Sequence, residues 1–387
     1  MRYLFSLVIG AFFLISLCGC KTVECRYPVG IYSPGCVDNY PKLSQAGFSH
    51  IFSSASLKNL NAAQESGLKV IATPGQSASE FMDKERIWKV VRKADSHPAL
   101  YSWYLIDEPD MNDVSPDDVM ALQKYLKSRG VKKPTSLVCF KGYEVGNYAQ
   151  IPDILLLDRY PVGWQPLETF GKHLRLARYA AGPDKPVFAV IQAFDWKYYP
   201  KVFPVEKYDT RPPTKEELRC MTWVSLVLGA NGVFYYCYDN KNAWRMEEHP
   251  EQWNELKEVV SEVRMLEPLF MAEHFWFKGG VECLNKEQDF NKAFEPSILT
   301  KGLRVKKGNT RIPAGEYVVC VNTTDQVIPF EISLPKIKNG RVYSRNLPET
   351  SIEGGSLPFR ISDFKDGKAL EQLEPLQIRI YGPLSLY

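Results

Sequence analysis

Eight short apolar runs, rich in β-branched and aromatic residues, alternate with helix-like segments from residue 28 onward. This alternation is typical of a parallel sheet covered by helices. Eight such units over about 245 residues match the usual size of a (β/α)8 or TIM barrel. A doubly wound open sheet is the competing arrangement, but no glycine-rich phosphate loop follows any strand. The predicted strands are Pro28–Ser33, Phe48–Ser53, Leu68–Thr73, Leu100–Ile106, Thr135–Phe140, Asp153–Leu157, Val187–Ile191 and Gly232–Tyr236.

The segments between these strands carry apolar residues at helical spacing, and two of them have clear start signals. Ser115-Pro116 places a capping serine and a first-turn proline before one helix. Thr214 and Glu217 form a capping box at the start of another. The predicted helices are Glu80–Ala94, Asp117–Arg129, Leu167–Ala181 and Lys215–Leu228.

The pattern changes after a further helix over Gln252–Leu266. Short alternating runs separated by turn residues follow, and helical periodicity is absent. We therefore predict a barrel domain over residues 20–275 and a small antiparallel β-sandwich over residues 276–387. The predicted sandwich strands are Gly302–Lys306, Gly315–Asn322, Ile328–Leu334, Gly340–Arg345 and Leu376–Tyr381.

The first nineteen residues are set apart from both domains. Arg2 precedes the apolar run Leu4–Leu17, which is short for a membrane span and ends at Leu17-Cys18-Gly19-Cys20. This segment resembles a bacterial lipoprotein signal. The resemblance implies that the mature chain begins at a lipidated Cys20 and is anchored in the bacterial cell envelope, on its periplasmic or cell-surface side. An uncleaved anchor helix is the alternative.

The net charge and the spacing of the cysteines argue against two classes of function, nucleic-acid binding and metal binding. The formal net charge is +3, and no basic run is present, which argues against a nucleic-acid-binding surface. Seven cysteines follow Cys20, with no CxxC pair and no His-x-x-x-His partner, so the sequence predicts no metal site. We also expect no cofactor.

The fourth predicted strand leads directly into two carboxylates. Leu100–Ile106 is followed by Asp107-Glu108-Pro109. A carboxylate at the C-terminal tip of a barrel strand lies where such barrels carry out their chemistry, so Glu108 is the first catalytic candidate. Neighbouring strand residues face opposite sides, so we expect one of Asp107 and Glu108 to face inward.

The motifs around these strands resemble the clan A glycoside hydrolases. A His-Pro-x-Leu lead-in to Trp-Tyr-x-x-Asp-Glu-Pro ends the fourth strand, and Leu157-Asp158-Arg159-Tyr160-Pro161 ends the sixth. In particular, the chain is similar to uncharacterised bacterial members with an Asp-Glu-Pro signature. The resemblance implies that Glu108 is the general acid/base. It also implies a glutamate nucleophile at the end of the seventh strand, where this chain has Gln192 instead.

Glycosidic hydrolysis needs a second carboxylate, to attack or to activate water. The candidates are Asp158, Asp195 and Asp239. We favour Asp158, because three leucines precede it and place it at a strand tip. An ion pair with a neighbouring basic residue such as Arg159 is the alternative role for Asp158. We predict that Gln192 bonds substrate or orients another residue.

Aromatic side chains in the predicted βα loops favour a sugar ligand, because pyranose rings have apolar CH faces. The sequence therefore predicts a hydrolase that cleaves a glycosidic bond in a carbohydrate. A lipoprotein that binds glycans without cleaving them is the alternative. The predicted substrate-binding residues are Asp107, Tyr160, Gln192, Asp195, Trp196, Tyr236 and Asp239.

Overall fold

The computed structural model describes residues 26–75, 83–241, 243–337, 339–347 and 360–384. The predicted signal segment and Cys20 lie outside these residues. Eight parallel strands close into a barrel in chain order, so the predicted TIM barrel is confirmed. They are β1 (Val29–Ile31), β2 (His50–Ser54), β3 (Lys69–Thr73), β4 (Leu100–Tyr104), β5 (Thr135–Cys139), β6 (Ile154–Arg159), β7 (Val187–Gln192) and β8 (Gly232–Tyr236).

Helices follow most of the strands and cover the outside of the barrel. Ser115 accepts a hydrogen bond from the backbone N–H of Asp118 at 3.1 Å, and the capping box of Thr214 and Glu217 is present. The predicted start signals are therefore confirmed. The helices are α1 (Tyr40–Gln45), α2 (Leu57–Glu65), α3 (Lys84–Ala94), α4 (Pro116–Ser128), α5 (Thr169–Ala181), α6 (Lys215–Val227), α7 (Pro250–Met265) and α8 (Glu267–Phe270).

Aromatic rings fill the inside of the barrel. The ring of Phe234 on β8 stacks on Phe188 with centroids 5.5 Å apart and also contacts Tyr32 and Phe52. A Cβ atom at Gly30 would lie 2.1 Å from the Phe234 ring, so β1 needs glycine at this position. The packed interior leaves the two ends of the barrel as the places where chemistry can occur.

Two antiparallel sheets follow the barrel, which confirms the predicted β-sandwich. Four strands escaped prediction, because they are short or carry several charged residues: Glu273–Phe275, Gly280–Cys283, Arg360–Phe364 and Lys368–Leu373. The strands are β9 (Glu273–Phe275), β10 (Gly280–Cys283), β11 (Ile298–Val305), β12 (Gly315–Asn322), β13 (Ile328–Ser333), β14 (Gly340–Leu347), β15 (Arg360–Phe364), β16 (Lys368–Leu373) and β17 (Ile378–Leu384).

The larger sheet has the order β15-β14-β17-β12-β11-β9, and the smaller has the order β10-β13-β16. Strands β11 and β12 pack against α6, and Leu303 and Val319 belong to the same hydrophobic core as the barrel. The sandwich is therefore fixed to the barrel by buried apolar contacts. Among the described residues, no helix is both long and apolar enough to cross a membrane.

Candidate active site

Glu108 lies in the loop between β4 and α4, at the C-terminal mouth of the barrel. Its backbone has a φ of +39°, a left-handed conformation that is rare for a residue with a long side chain. The Glu108 carbonyl accepts hydrogen bonds from the backbone N–H groups of Met111 and Asn112 at 2.9 and 3.0 Å. The Asn112 side chain also donates to it, at 3.1 Å. The loop therefore holds Glu108 in a strained conformation, as is common at functional sites.

Asp110 ties the same loop to the neighbouring strand. Its buried carboxylate accepts hydrogen bonds from the backbone N–H groups of Phe140 and Lys141, at 3.0 and 2.6 Å. These groups follow β5, so the loop after β4 cannot move independently of the loop after β5. Asp110 thus fixes the loop that carries Glu108.

Asp107 and Glu108 both lie beyond the end of β4, so the alternation expected of neighbouring strand residues does not apply to them. Strand β4 ends at Tyr104, and the left-handed backbone at Glu108 breaks the period of two. The Tyr104 hydroxyl donates a hydrogen bond of 2.5 Å to the Asp107 carboxylate. The pKa of Asp107 is nevertheless raised, because protein atoms crowd the carboxyl group and exclude part of its hydration.

The side chains of Glu108 and Asp158 share a hydrogen bond, which brings two carboxyl groups into contact. Asp158 lies in β6, which extends to Arg159, and its side chain is 4% exposed. Glu108 is half-buried and faces the opening. Two carboxyl groups in contact hold a proton between them, because two negative charges at this distance repel each other strongly.

Burial and charge repulsion act together on this pair. The pKa of Glu108 is raised to about 7, first by burial and then by the negative charges of Asp107 and Asp110. The pKa of Asp158 is raised well above its ordinary value, by burial and by the charge of Glu108. The pair therefore retains a proton at neutral pH, where isolated carboxyl groups have lost theirs.

The surroundings of Asp158 reinforce this state. Its Oδ1 atom is buried without a hydrogen-bond partner among the described residues, and so is the hydroxyl of Tyr32. Arg159 bonds Gln165 and lies over the rings of Phe140 and Trp164, at 4.8 and 5.2 Å from their centroids. No ion pair joins it to Asp158 in the described part of the chain. The acidic pair therefore keeps its proton instead of being neutralised by a cation.

Gln192 ends β7 and is fully buried. Its Oε1 accepts a hydrogen bond from the backbone N–H of Val162 at 2.8 Å. Its Nε2 donates to the carbonyl oxygens of Val162 and Phe194, both at 3.1 Å. The side chain thus connects the loops after β6 and β7, which matches an orienting role, and its predicted contact with substrate stays a prediction.

Three of the predicted aromatic residues contact one another beside the carboxyl pair. The ring of Tyr160 lies 5.6 Å from Tyr236 and 6.2 Å from Trp196. Trp196 stacks on Phe203 with centroids 4.5 Å apart, so one of its faces is already covered. Tyr236 is half-buried, and its hydroxyl accepts a hydrogen bond from Asn240 at 3.1 Å. Together these rings form one side of the mouth.

Asp195 and Asp239 have other partners. Asp195 is 1% exposed and accepts hydrogen bonds from the backbone N–H of Lys197, at 2.9 Å, and pairs with its Nζ, at 3.2 Å. Asp239 lies 3.6 Å from the Nε of Arg245. Of the three candidates for the second carboxylate, the structure places Asp158 in contact with Glu108.

Sequence reasoning missed Tyr32, Tyr104 and Asp110. Tyr104 and Asp110 belong to the Asp-Glu-Pro stretch itself, so their proximity to Glu108 was visible in the sequence. Tyr32 follows the end of β1, and no local signal distinguishes it from the other strand aromatics. Among the described residues, no group of three or more His, Cys, Asp and Glu side chains is arranged to hold a metal ion.

Comparisons with known proteins identify the fold. No protein-family model matches the chain, and no curated protein sequence matches it. A solved glycoside hydrolase is similar, with a TM-score of 0.59 and 12% identity over 92% of each chain. A glycoside hydrolase of family 5 from Bacteroides vulgatus has a TM-score of 0.58 and 11% identity, over 93% of this chain and 91% of that one.

A third similar structure is a 4-O-alpha-L-rhamnosyl-beta-D-glucuronidase from Fusarium oxysporum, with a TM-score of 0.53 and 10% identity. The match covers 92% of this chain and 95% of that one. All three structural neighbours are glycosidases, and they share the fold of this chain. Identities this low show a common architecture, and function must be argued from the site.

Proposed function

We propose that this protein is a glycosidase that hydrolyses a glycosidic bond with Glu108 and Asp158. One observation carries the proposal, namely the hydrogen-bonded pair of carboxyl groups at the C-terminal mouth of the barrel. Glycoside hydrolysis needs one protonated and one ionised carboxyl group at the same time. A pair that shares a proton at neutral pH supplies both.

The single proton that the two carboxyl groups share is the number that the reaction requires. Asp158, the more deeply buried group, holds the shared proton at rest, and transfer along the hydrogen bond moves this proton to Glu108. Glu108 is the more accessible group, so it then donates the proton to the leaving oxygen as the glycosidic C–O bond breaks. Asp158, then ionised, takes a proton from the water molecule whose oxygen bonds to the anomeric carbon. The cycle ends with the proton on Asp158 and a carboxylate at Glu108. This is the resting state of the pair, so the next cycle can begin.

The contact between the two groups sets a requirement for substrate binding. Retaining glycosidases separate their carboxyl groups by about 5 Å, and inverting ones by roughly 6.5–9.5 Å. A hydrogen bond between Glu108 and Asp158 leaves no room for a sugar or a water molecule between them. Glu108 must therefore turn toward the substrate, which its position in a loop beyond β4 allows. The half-buried ring of Tyr236 then contacts the sugar, with the buried rings of Tyr160 and Trp196 packed behind it.

A non-catalytic glycan-binding protein is the second candidate function. The observation that favours it is Gln192, which lies where the related barrels are expected to carry a nucleophile and is bonded only to backbone groups in the described structure. Under this function the aromatic side of the mouth binds a glycan, and the carboxyl pair only hydrogen-bonds the sugar hydroxyls.

A release assay separates the two functions. The purified chain is incubated with a panel of polysaccharides and glycoconjugates, and new reducing ends are measured. We expect Glu108→Gln to abolish release while glycan binding and the folded state persist. Glu65→Gln, an exposed carboxylate at the end of α2, serves as the matched control and should leave release unchanged. If wild type and Glu108→Gln bind a glycan equally and neither releases sugar, the binding function replaces the hydrolase.

We also propose that Cys20 carries a lipid that anchors the chain in the bacterial cell envelope. The support is the apolar run Leu4–Leu17 followed by Gly19-Cys20. Metabolic labelling with a radioactive fatty acid should label the wild type and not Cys20→Ala. Labelling that survives this substitution would show that the anchor lies elsewhere.

A further inference from the structure

A large cleft lies at the opposite end of the barrel from the carboxyl pair. Its volume is about 1390 Å³, and it runs between the N-terminal ends of the strands and the β-sandwich. His50 and Tyr101 at the starts of β2 and β4 line one side, and Leu299 and Lys301 of β11 line the other. The cleft is larger than the roughly 300–1,000 Å³ of typical ligand pockets. The proposed hydrolase does not use it.

The charged groups of the cleft are all of one kind. Four of the lining residues are arginine or lysine, two are histidine, and none of those described is aspartate or glutamate. A cavity with this lining attracts anions, because low-dielectric walls concentrate the positive potential. The basic lining residues are Arg26, Arg175, Arg178, Lys301, His50 and His274.

Little of this positive charge is balanced by acids. Arg175 pairs with Glu295 at 2.6 Å. Arg178 bonds the carbonyl oxygens of Gly182 and Lys185 and the side chain of Asn231, which are all neutral. For Lys301, the described part of the chain offers no ion-pair partner. At least two cationic groups therefore face the cleft with their charge uncompensated.

His50 provides a second observation that points to a ligand. Its side chain is 6% exposed, and its Nε2 atom has no hydrogen-bond partner among the described residues. Its Nδ1 is occupied, because it lies 2.9 Å from the Ser49 hydroxyl. A buried polar atom without a partner is costly, so the native structure is expected to supply one. The cleft, which His50 lines, is where that partner would enter.

The titration behaviour of the lining groups agrees with a positive potential. The pKa of His274 is lowered to about 4 by burial and by the nearby charges of Lys301 and Arg178. The pKa of Lys301 is lowered by burial and then by the charge of Arg175. An anion bound among these groups would relieve the repulsion that both shifts report.

We propose that this cleft binds a phosphate group, carried by a phospholipid headgroup or present as free phosphate. Phosphate matches the site because it can carry two negative charges and accept several hydrogen bonds from arginine and lysine. Apolar side chains of Tyr27, Leu228 and Phe270 beside the cationic groups would suit the glycerol and first acyl carbons of a lipid.

The predicted lipid anchor favours the phospholipid as the source. Arg26 lines the cleft, and it lies six positions after Cys20 along the chain. Six residues span at most about 20 Å, so a lipidated Cys20 would hold this end of the barrel close to a membrane surface. The mouth with Glu108 would then face away from the membrane.

Calorimetric titration of the purified full chain tests the proposal. The probes are inorganic phosphate and a short-chain phosphatidylglycerol below its micelle concentration. We expect phosphate and phosphatidylglycerol to bind, and Lys301→Gln to weaken both by about tenfold, as the loss of one charged hydrogen bond implies. Lys124→Gln, an exposed lysine on α4, is the matched control and should change neither affinity.

The relative affinities of the probes identify the source of the phosphate group. Tighter binding of phosphatidylglycerol than of phosphate identifies the lipid headgroup as the source, and equal affinities identify free phosphate. If neither probe binds the wild type, or if Lys301→Gln binds both as tightly as the wild type, the proposal is wrong. The result does not depend on hydrolysis, because the cleft and the carboxyl pair lie at opposite ends of the barrel.

Discussion

The two ends of the barrel carry opposite charges. At the C-terminal mouth, Asp107, Glu108 and Asp158 crowd together, and their pKa values are raised. At the N-terminal end, His274 and Lys301 lie among cations, and their pKa values are lowered. Burial and like-charge repulsion cause both effects, and both ends favour the less charged form of their groups. The two ends of the barrel therefore differ in the sign of the charge that would surround a bound ligand.

The direction of the helices explains why the charges are distributed in this way. In a barrel of this type the helix N-termini lie at the mouth and the C-termini at the other end. The helix dipole therefore favours acids at the mouth and cations opposite. Arg178 shows the second case, since its guanidinium bonds Gly182 at the C-terminal end of α5. The acids at the mouth and the cations at the opposite end therefore each lie where the helix dipoles stabilise their charge.

Removing the buried member of the carboxyl pair should have the largest effect. Asp158→Asn leaves Glu108 without a partner that exchanges protons, so we expect hydrolysis to fall by about 10²- to 10⁴-fold. Steady-state kinetics on whichever glycan the wild type cleaves would measure the loss. Asp117→Asn, an exposed acid in the first turn of α4, should retain full activity. If Asp158→Asn retains activity close to that of the wild type, the carboxyl pair does not carry out the hydrolysis.

Placing an acid at the end of β7 should destabilise the fold without creating a nucleophile. In Gln192→Glu, a carboxylate oxygen replaces the Nε2 group that donates to Val162 and Phe194. Three oxygens then face one another in a buried site, which should cost about 3 kcal/mol of unfolding free energy. Chemical denaturation checks this, with Gln64→Glu on the surface of α2 as control. A stable Gln192→Glu variant with gained hydrolysis would contradict the expectation.

The acidic end should make the folded state more stable at low pH. The folded-state pKa of Glu108 is about 7, above its ordinary value of 4.5, so folding favours the protonated form. This stabilisation is fully present below about pH 4.5 and is lost as the pH rises through about 7. Its size is about 2 kcal/mol, after allowance for the partial exposure of Glu108.

The measurement is the unfolding free energy of wild type minus that of Asp158→Asn across this pH range. The subtraction is needed because buried histidines such as His50, with a pKa lowered to about 3, act in the opposite direction. We expect the difference to decrease as the pH rises from 4.5 to 7, because the substitution removes Asp158, whose own folded-state pKa is raised well above its ordinary value. A difference that does not change with pH would show that the pair does not share a proton.

A substitution of Lys301 at the cationic end should have the smallest effect on stability. The sign of this effect should differ between anion-free and anion-bound protein. Lys301→Met removes a half-buried cation that has no ion pair in the described structure, so stability should rise by about 0.5–1 kcal/mol. In saturating phosphate the wild type should regain the advantage, because it binds the anion more tightly. Denaturation with and without phosphate tests this, and Lys124→Met should show neither change. A gain for Lys301→Met that persists in phosphate would contradict an anion site.

Local patterns were sufficient for most of the architecture. The alternation of apolar runs and amphipathic segments predicted all eight barrel strands, and the Ser115 and Thr214 signals predicted where two helices begin. They were insufficient for short or charged strands, such as Glu273–Phe275 and Lys368–Leu373, which form through pairing with other strands. In such strands the partner, and not the intrinsic pattern, decides the structure.

The sequence by itself determined the barrel and the placement of Glu108 at its mouth. Parallel strands end at the same edge, so a carboxylate after any strand must lie there. Only the tertiary structure decided that Asp158 contacts Glu108 and that backbone groups take up the hydrogen bonds of the Gln192 side chain. It also decided that Lys301 faces a cationic cleft. The reason is physical. Periodicity along the chain encodes which face of an element is buried, whereas pKa values and partners depend on distances between elements that only packing sets.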